Sequence, residues 1–264
     1  MKKRGQVFLI GAGPGDPELL TLKAVRMLAR ADAVVHDRLV SAEILALAPE
    51  GARMIPVGKA AGFHSVPQER INEILIELAE EGLTVARLKG GDPFLFGRGG
   101  EEALALAAAG VPVEIAPGVT AAQGAAAALG VPLTHRGLAT GVRYVTGHCR
   151  RDIPLDLDWA GLADPDTTLV VYMGAANMEE IARRLIAHGM PADLPVLAVS
   201  AATTPRQRRL SSRLERIAED AAAARLPSPV LFVIGRVAAL LEDAPAAALA
   251  RVAARAPLAE AIHA

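Results

Sequence analysis

Leu83-Thr84-Val85-Ala86-Arg87-Leu88-Lys89-Gly90-Gly91-Asp92-Pro93-Phe94-Leu95-Phe96-Gly97-Arg98-Gly99-Gly100-Glu101-Glu102 sets glycines, aromatics and charges between two regular elements. Leu83 to Leu88 reads as a short buried strand. Glu101 to Ala109 reads as a helix whose two leading glutamates suit the positive N-terminal end. The loop from Lys89 to Gly100 therefore leaves the carboxyl end of a strand, the edge where open α/β sheets hold their ligands. Gly90 and Gly91 permit close approach of a backbone, and Asp92-Pro93 stiffens the turn and offers a carboxylate. A plain glycine-rich connection is the competing reading, although paired charges beside so many glycines exceed what a turn requires.

Working outward, the same rhythm repeats. Val7-Phe8-Leu9-Ile10 is a short apolar run that enters Gly11-Ala12-Gly13-Pro14-Gly15-Asp16-Pro17, after which Glu18 to Arg30 has helical apolar spacing, opened by Asp16-Pro17. A dinucleotide fingerprint would carry Gly or Ala where Asp16 stands, which argues against nicotinamide binding. Ala33 to His36 is a second strand that delivers Asp37 and Arg38 at its carboxyl end. Asp37 reads equally as a cap for a helix beginning near Ser41 and as a functional carboxylate. Arg53 to Val57, with Lys59 in the glycine loop behind it, and Val113 to Ala116 complete five strands. Helices at Gln68–Glu80 and Ala121–Leu129 alternate with them, which implies a parallel sheet.

Gly130-Val131-Pro132-Leu133-Thr134-His135-Arg136-Gly137 interrupts the pattern, so an N-terminal α/β domain is expected over 1–134 and a C-terminal α/β domain over 138–243, with an Ala/Pro/Arg-rich tail at 244–264. In the second half, strands are expected at 142–146, 167–173, 195–202 and 229–234, a helix at 178–188, and a strand edge running into a helix over 211–224.

Composition narrows the class. With 52% hydrophobic and 22% charged residues the chain can bury an ample core, and with 3% aromatics that core is aliphatic, favouring helices on sheets. A net charge of −1 argues against a general nucleic-acid binder. The single cysteine, Cys149, excludes an internal disulfide and a zinc–thiolate cluster, and fits a reducing cytoplasm. No targeting segment or membrane span is expected. Asp37, Arg38, Lys59, Asp92, Arg98, Glu101 and Arg136 all fall at expected strand ends or boundaries. Arginines there suit a ligand bearing several carboxylates.

Gly11-Ala12-Gly13-Pro14-Gly15-Asp16, Asp37-Arg38-Leu39-Val40, Val57-Gly58-Lys59, the run Gly90 to Glu102, Pro117-Gly118-Val119-Thr120-Ala121 and Thr203-Thr204-Pro205-Arg206-Gln207 together resemble the tetrapyrrole methylase superfamily, in segments spread along the chain to about Leu240. The resemblance implies two α/β domains with the active site in the cleft between them, a homodimer, and methyl transfer from S-adenosyl-L-methionine without a metal. The substrate implied is uroporphyrinogen III, methylated at C-2 and C-7 through precorrin-1 to precorrin-2, which feeds sirohaem or cobalamin synthesis. A later precorrin or cobalt-precorrin methyltransferase of the same superfamily is the alternative.

By the same resemblance, Pro14, Gly90, Gly91, Asp92, Leu95, Thr120, Ala121, Met173 and Ala202 fall on S-adenosyl contacts. Asp37 falls on a proton acceptor and Lys59 on a proton donor. Arg98 and Glu101 join the catalytic set, and Arg38, Arg136 and Met173 serve the tetrapyrrole. With no dehydrogenase–chelatase module in the chain, oxidation of precorrin-2 and iron insertion are expected of another protein. S-adenosyl-L-homocysteine is predicted to bind stoichiometrically while NAD does not. Calorimetric heat with NAD and none with S-adenosylhomocysteine would contradict that prediction.

Overall fold

The computed structural model describes residues 4–58, 66–148 and 155–240, and the chain divides into two compact units after Thr120. The first is a five-stranded, fully parallel sheet. Its strands are β1 (Gln6–Gly11), β2 (Ala33–His36), β3 (Arg53–Pro56), β4 (Thr84–Lys89) and β5 (Val113–Ala116), in the order β3-β2-β4-β1-β5. Alternate residues of each strand supply opposite faces, as the pleat requires. Phe8, Ile10, Val34, Ala86 and Leu88 pack beneath α1 (Leu22–Leu28) and α2 (Ala42–Leu45). Val7, Leu9, Ala33, Val35 and Val85 pack beneath α3 (Gln68–Glu80) and α4 (Gly99–Ala108). β1 and β4 are neighbours whose following helices cover opposite faces, and this pair is the topological switch point of the sheet.

One expected helix is two elements. Asp16 Oδ1 accepts from Glu18 N at 3.0 Å and caps a single 3-10 turn, Pro17–Leu19. Leu20 is then extended, and Thr21 Oγ1 accepts from Ala24 N at 3.1 Å to start α1 afresh. The apolar spacing was continuous across the break because Leu19 and Leu22 suit a helix either way. Two side-chain caps in succession are what divide it.

The second unit contains α5 (Ala121–Leu129), β6 (Gly141–Thr146), α6 (Trp159–Leu162), β7 (Thr167–Tyr172), α7 (Met178–Ala187), β8 (Pro195–Ser200), β9 (Arg208–Arg213), α8 (Ile217–Ala223) and β10 (Val230–Ile234). Its sheet is mixed, in the order β6-β7-β10-β8-β9. Only β6 and β7 are parallel neighbours, and the remaining pairs are antiparallel. Ala122, Ala125 and Leu129 of α5 share a core with Val170, Leu197, Val199, Leu231 and Val233, while α7 and α8 pack on the opposite face. The α5 helix thus belongs with the second sheet, and compactness divides 14 residues before the glycine–proline interruption expected to end the first domain at 134. The expected tail at 244–264 lies outside the described residues.

At the carboxyl edge of the first sheet, backbones meet without side chains between them. Gly13 and Gly91 exchange two hydrogen bonds, Gly13 N to Gly91 O at 3.1 Å and Gly91 N to Gly13 O at 2.7 Å. Gly118 lies against both loops: a Cβ on it would collide with Gly91 O and with Gly11 Cα. Gly118→Ala is predicted to destabilise the protein by about 1–3 kcal/mol, because neither backbone can retreat without losing its ladder. Equilibrium urea unfolding measures this, and an unchanged midpoint would contradict it.

Candidate active site

The loop after β4 is wound tightly by its own residues. Asp92 bridges two loops, accepting from Phe94 N at 2.8 Å through Oδ1 and from Gly118 N at 2.9 Å through Oδ2. The carboxylate that the sequence offers at a ligand edge thus has both oxygens engaged in shaping that edge. Phe96 and Arg98 follow with φ of 55° and 59°, in the left-handed region. Arg98 then pairs with Glu101 in the first turn of α4 through two parallel bonds, Nε to Oε1 at 2.9 Å and Nη2 to Oε2 at 2.7 Å. Both side chains of this fork are about half exposed.

Asp37 leaves the end of β2 one loop away. It is not a helix cap. Ser41 holds that role for α2, its Oγ accepting from Ile44 N at 3.4 Å. Asp37 Oδ1 instead accepts from Arg87 Nη2 at 2.7 Å, with the carboxylate 31% exposed while Arg87 is 2% exposed. Beneath it lies a group that the sequence reading passed over. Arg87 Nε donates to Glu102 Oε1 at 3.1 Å, and the same oxygen accepts from Lys89 Nζ at 2.9 Å and Gln68 Nε2 at 3.2 Å. Glu102 is fully buried. Burial first, then the charge of Arg87, pushes the Lys89 ammonium below the ordinary lysine range, and Glu102 and Asp37 only partly oppose this. The available signal was the pattern itself: Arg87 and Lys89 alternate with Ala86 and Leu88 in a central strand that both layers of helices cover, where charge is retained only if paired.

Of the other residues expected at the site, Pro14 lies behind β1, Arg38 beside Asp37, and Gly90, Gly91 and Leu95 in the loop after β4. With the buried Thr120 behind β5, these share the carboxyl edge of the first sheet. Leu39, Phe94 and Phe96 are exposed there, at 52%, 58% and 37%.

In the second unit, Met173 follows β7 and Ala202 follows β8, two strands that flank β10 and run in the same direction, so both residues stand at one edge. Ala121 opens α5, where Tyr172 Oη accepts from Ala122 N at 3.1 Å. Arg136 is exposed on the turn that His135 and Ala139 close. Met173, Ala201 and Thr203 have φ of 54°, 47° and 64°. Together with Phe96 and Arg98, they make five of the six non-glycine residues at positive φ among the described residues, and all five follow strand ends. The strained backbone is thus concentrated in loops that leave strand ends in each unit. Lys59 lies outside the described residues.

The profile of the Tetrapyrrole (Corrin/Porphyrin) Methylases matches residues 6–218. The chain belongs to the tetrapyrrole methylase family. It is 67% identical over 239 residues to a uroporphyrinogen-III C-methyltransferase of Paracoccus denitrificans, covering 90% of this chain and 83% of that one. It is 52% identical to a siroheme synthase of Acinetobacter baylyi over 91% of this chain, and there it spans about half the length of the relative, 52%. The crystal structure of a uroporphyrin-III C-methyltransferase from Thermus thermophilus complexed with S-adenosyl homocysteine superposes with a TM-score of 0.75 at 44% identity, covering 88% of this chain and 93% of that one. The two α/β units are therefore those of this methylase family.

Asp92 is the bridge on which the shape of the first edge depends. Asp92→Ala frees the Phe94 and Gly118 amides and is predicted to cost about 1.5–3 kcal/mol of stability. Thermal unfolding at fixed pH tests it, and a variant as stable as the parent would contradict it.

Proposed function

We propose that the protein transfers methyl groups from S-adenosyl-L-methionine to C-2 and C-7 of uroporphyrinogen III, through precorrin-1 to precorrin-2. The observation that carries this reading is the high identity with the Paracoccus enzyme along nearly all of this chain. The edge chemistry agrees with it. Exposed Leu39, Phe94 and Phe96 offer apolar surface for a large flat ligand, and Arg38 and Arg98 stand at the same edge for its carboxylates. Arg98 retains Nη1 for a substrate beyond the two bonds that orient it toward Glu101. Arg136 serves as a further cation for the tetrapyrrole, and Lys59 as a proton donor.

The residues also fit the donor. Gly91, Met173 and Ala201 hold left-handed backbone where their strands end, so the chain turns sharply at the positions proposed to meet the donor. Pro14, Gly90, Gly91, Asp92, Leu95, Thr120, Ala121, Met173 and Ala202 are its proposed contacts. S-adenosylmethionine supplies an electrophilic methyl, so the chain has only to align the pyrrole carbon and exclude water. Positive charge develops on the attacking pyrrole ring. Asp37, partly exposed and fixed from below by Arg87, stands as the carboxylate that stabilises this charge and receives the proton lost at the end of the step.

Assembly as a homodimer in the cytoplasm completes the proposal. Among the described residues no helix is long and apolar enough to cross a membrane.

Asp37→Asn keeps the shape and removes the charge. It is predicted to lower the rate of methyl transfer on the order of a hundredfold or more, with S-adenosylhomocysteine affinity unchanged. The assay is anaerobic turnover of enzymatically generated uroporphyrinogen III, with methyl additions read by mass. A folded variant with the parent rate would remove Asp37 from the chemistry, and parent protein that adds no methyl group would overturn the function.

A further inference from the structure

Arg87 occupies a costly place. It sits in the middle of β4, level with Leu9 of β1 and Val35 of β2, and its side chain is 2% exposed. An aliphatic residue there would join the surrounding core of Val7, Val85 and Leu75. Replacing a buried ion group by well-packed apolar residues is often neutral or stabilising, so fold stability alone does not explain charges at this position. Its geometry does. The guanidinium is aimed by three bonds in different directions: Nη1 to Leu88 O at 3.0 Å, Nε to Glu102 Oε1, and Nη2 to Asp37 Oδ1. A planar fork held at two corners has little freedom at the third.

Glu102 is the anchor of that arrangement. It stands in the first turn of α4, where the helix end favours an anion, and one oxygen gathers Arg87, Lys89 and Gln68, while Oε2 finds no hydrogen-bond partner among the described residues. Two cations thus face two carboxylates, and only Asp37 at the top of the stack is partly exposed.

We propose that Glu102 is a positioning residue for methyl transfer, acting through Arg87 to hold the Asp37 carboxylate in its working orientation. Lys89 and Gln68 keep the Glu102 oxygen in place. The proposal rests on the reading of Asp37 given above. Glu102 touches neither ligand: the series runs from a helix on one face of the sheet, through a side chain of the central strand, to the edge where substrate is handled.

A double-variant cycle tests this. Wild type, Asp37→Asn, Glu102→Gln and the double variant are compared for kcat and KM with uroporphyrinogen III, and for S-adenosylhomocysteine affinity by calorimetry. Glu102→Gln is expected to lower kcat about tenfold in the wild-type background, with KM and S-adenosylhomocysteine affinity nearly unchanged. In the Asp37→Asn background it should lower kcat by less than about twofold, since the group it positions has already lost its charge. An equal factor in both backgrounds, or a parent kcat in Glu102→Gln, would overturn the proposal and leave the Asp37 assignment intact. A parent rate in Asp37→Asn alone would overturn both, and it is read before Glu102 is touched. Should Glu102→Gln fail to fold, Lys89→Met/Glu102→Gln removes one cation together with one anion, and the same cycle with that pair decides by the same criteria.

Discussion

Four ionisable side chains, Asp37, Arg87, Lys89 and Glu102, are drawn together under the carboxyl edge of the parallel sheet, three of them almost wholly removed from water. Removing an ion from water costs several kcal/mol, and only close, well-oriented partners recover it. Four elements beneath the edge are tied to this group: Arg87 and Lys89 belong to β4, Glu102 to α4, Gln68 to α3 and Asp37 to the end of β2. A shift of either helix along the sheet would strand a charge in the core. The cluster thus fixes where α3 and α4 sit along β4, a constraint that aliphatic packing, which tolerates sliding, would not impose.

Above that layer the edge is built from backbone. The loops after β1, β4 and β5 lie against one another through Gly11, Gly13, Gly91 and Gly118, and Asp92 clasps two of them. This departs from the way a switch point usually serves a ligand, with the first glycine loop opening to receive a pyrophosphate at a helix N-terminus. Here the first loop spends its amides on the neighbouring loop, and α1 begins only after a separate 3-10 turn and a second cap. Rigidity is the result. The side chains that stand on this platform are Asp37, Arg38, Arg98 and Glu101, with Phe94 and Phe96 exposed at the same edge.

Much of this was legible from the residues in order. Short apolar runs and glycine punctuation located all five strands of the first sheet, and apolar spacing, alanine content and the paired glutamates at 101 and 102 located α3, α4, α5 and α7, because these signals are local and physical. The positions of Asp37, Arg38 and the loop from Gly90 to Arg98 followed, since a strand followed by a glycine loop fixes which end of the sheet a residue reaches. The helix after β1 was misread as continuous because its second cap, at Thr21, is a hydrogen bond invisible to apolar spacing, while the first, at Asp16, was read as the start of one helix.

What tertiary structure alone decided is pairing. Asp37 and Arg87 are 50 residues apart in the chain, and Gln68 and Glu102 are 34 apart, yet they meet at 2.7 Å and 3.2 Å. Sequence determined that charges lie in a strand too apolar to welcome them and that a carboxylate stands at a strand end equally suited to capping a helix. The choice between cap and ion pair fell to the strand order: with β2 beside β4, the Arg87 side chain reaches Asp37, while Ser41 lies close enough to its own helix to cap it. Burial then makes that choice binding, because a charge without its partner in the core costs more than any local alternative returns.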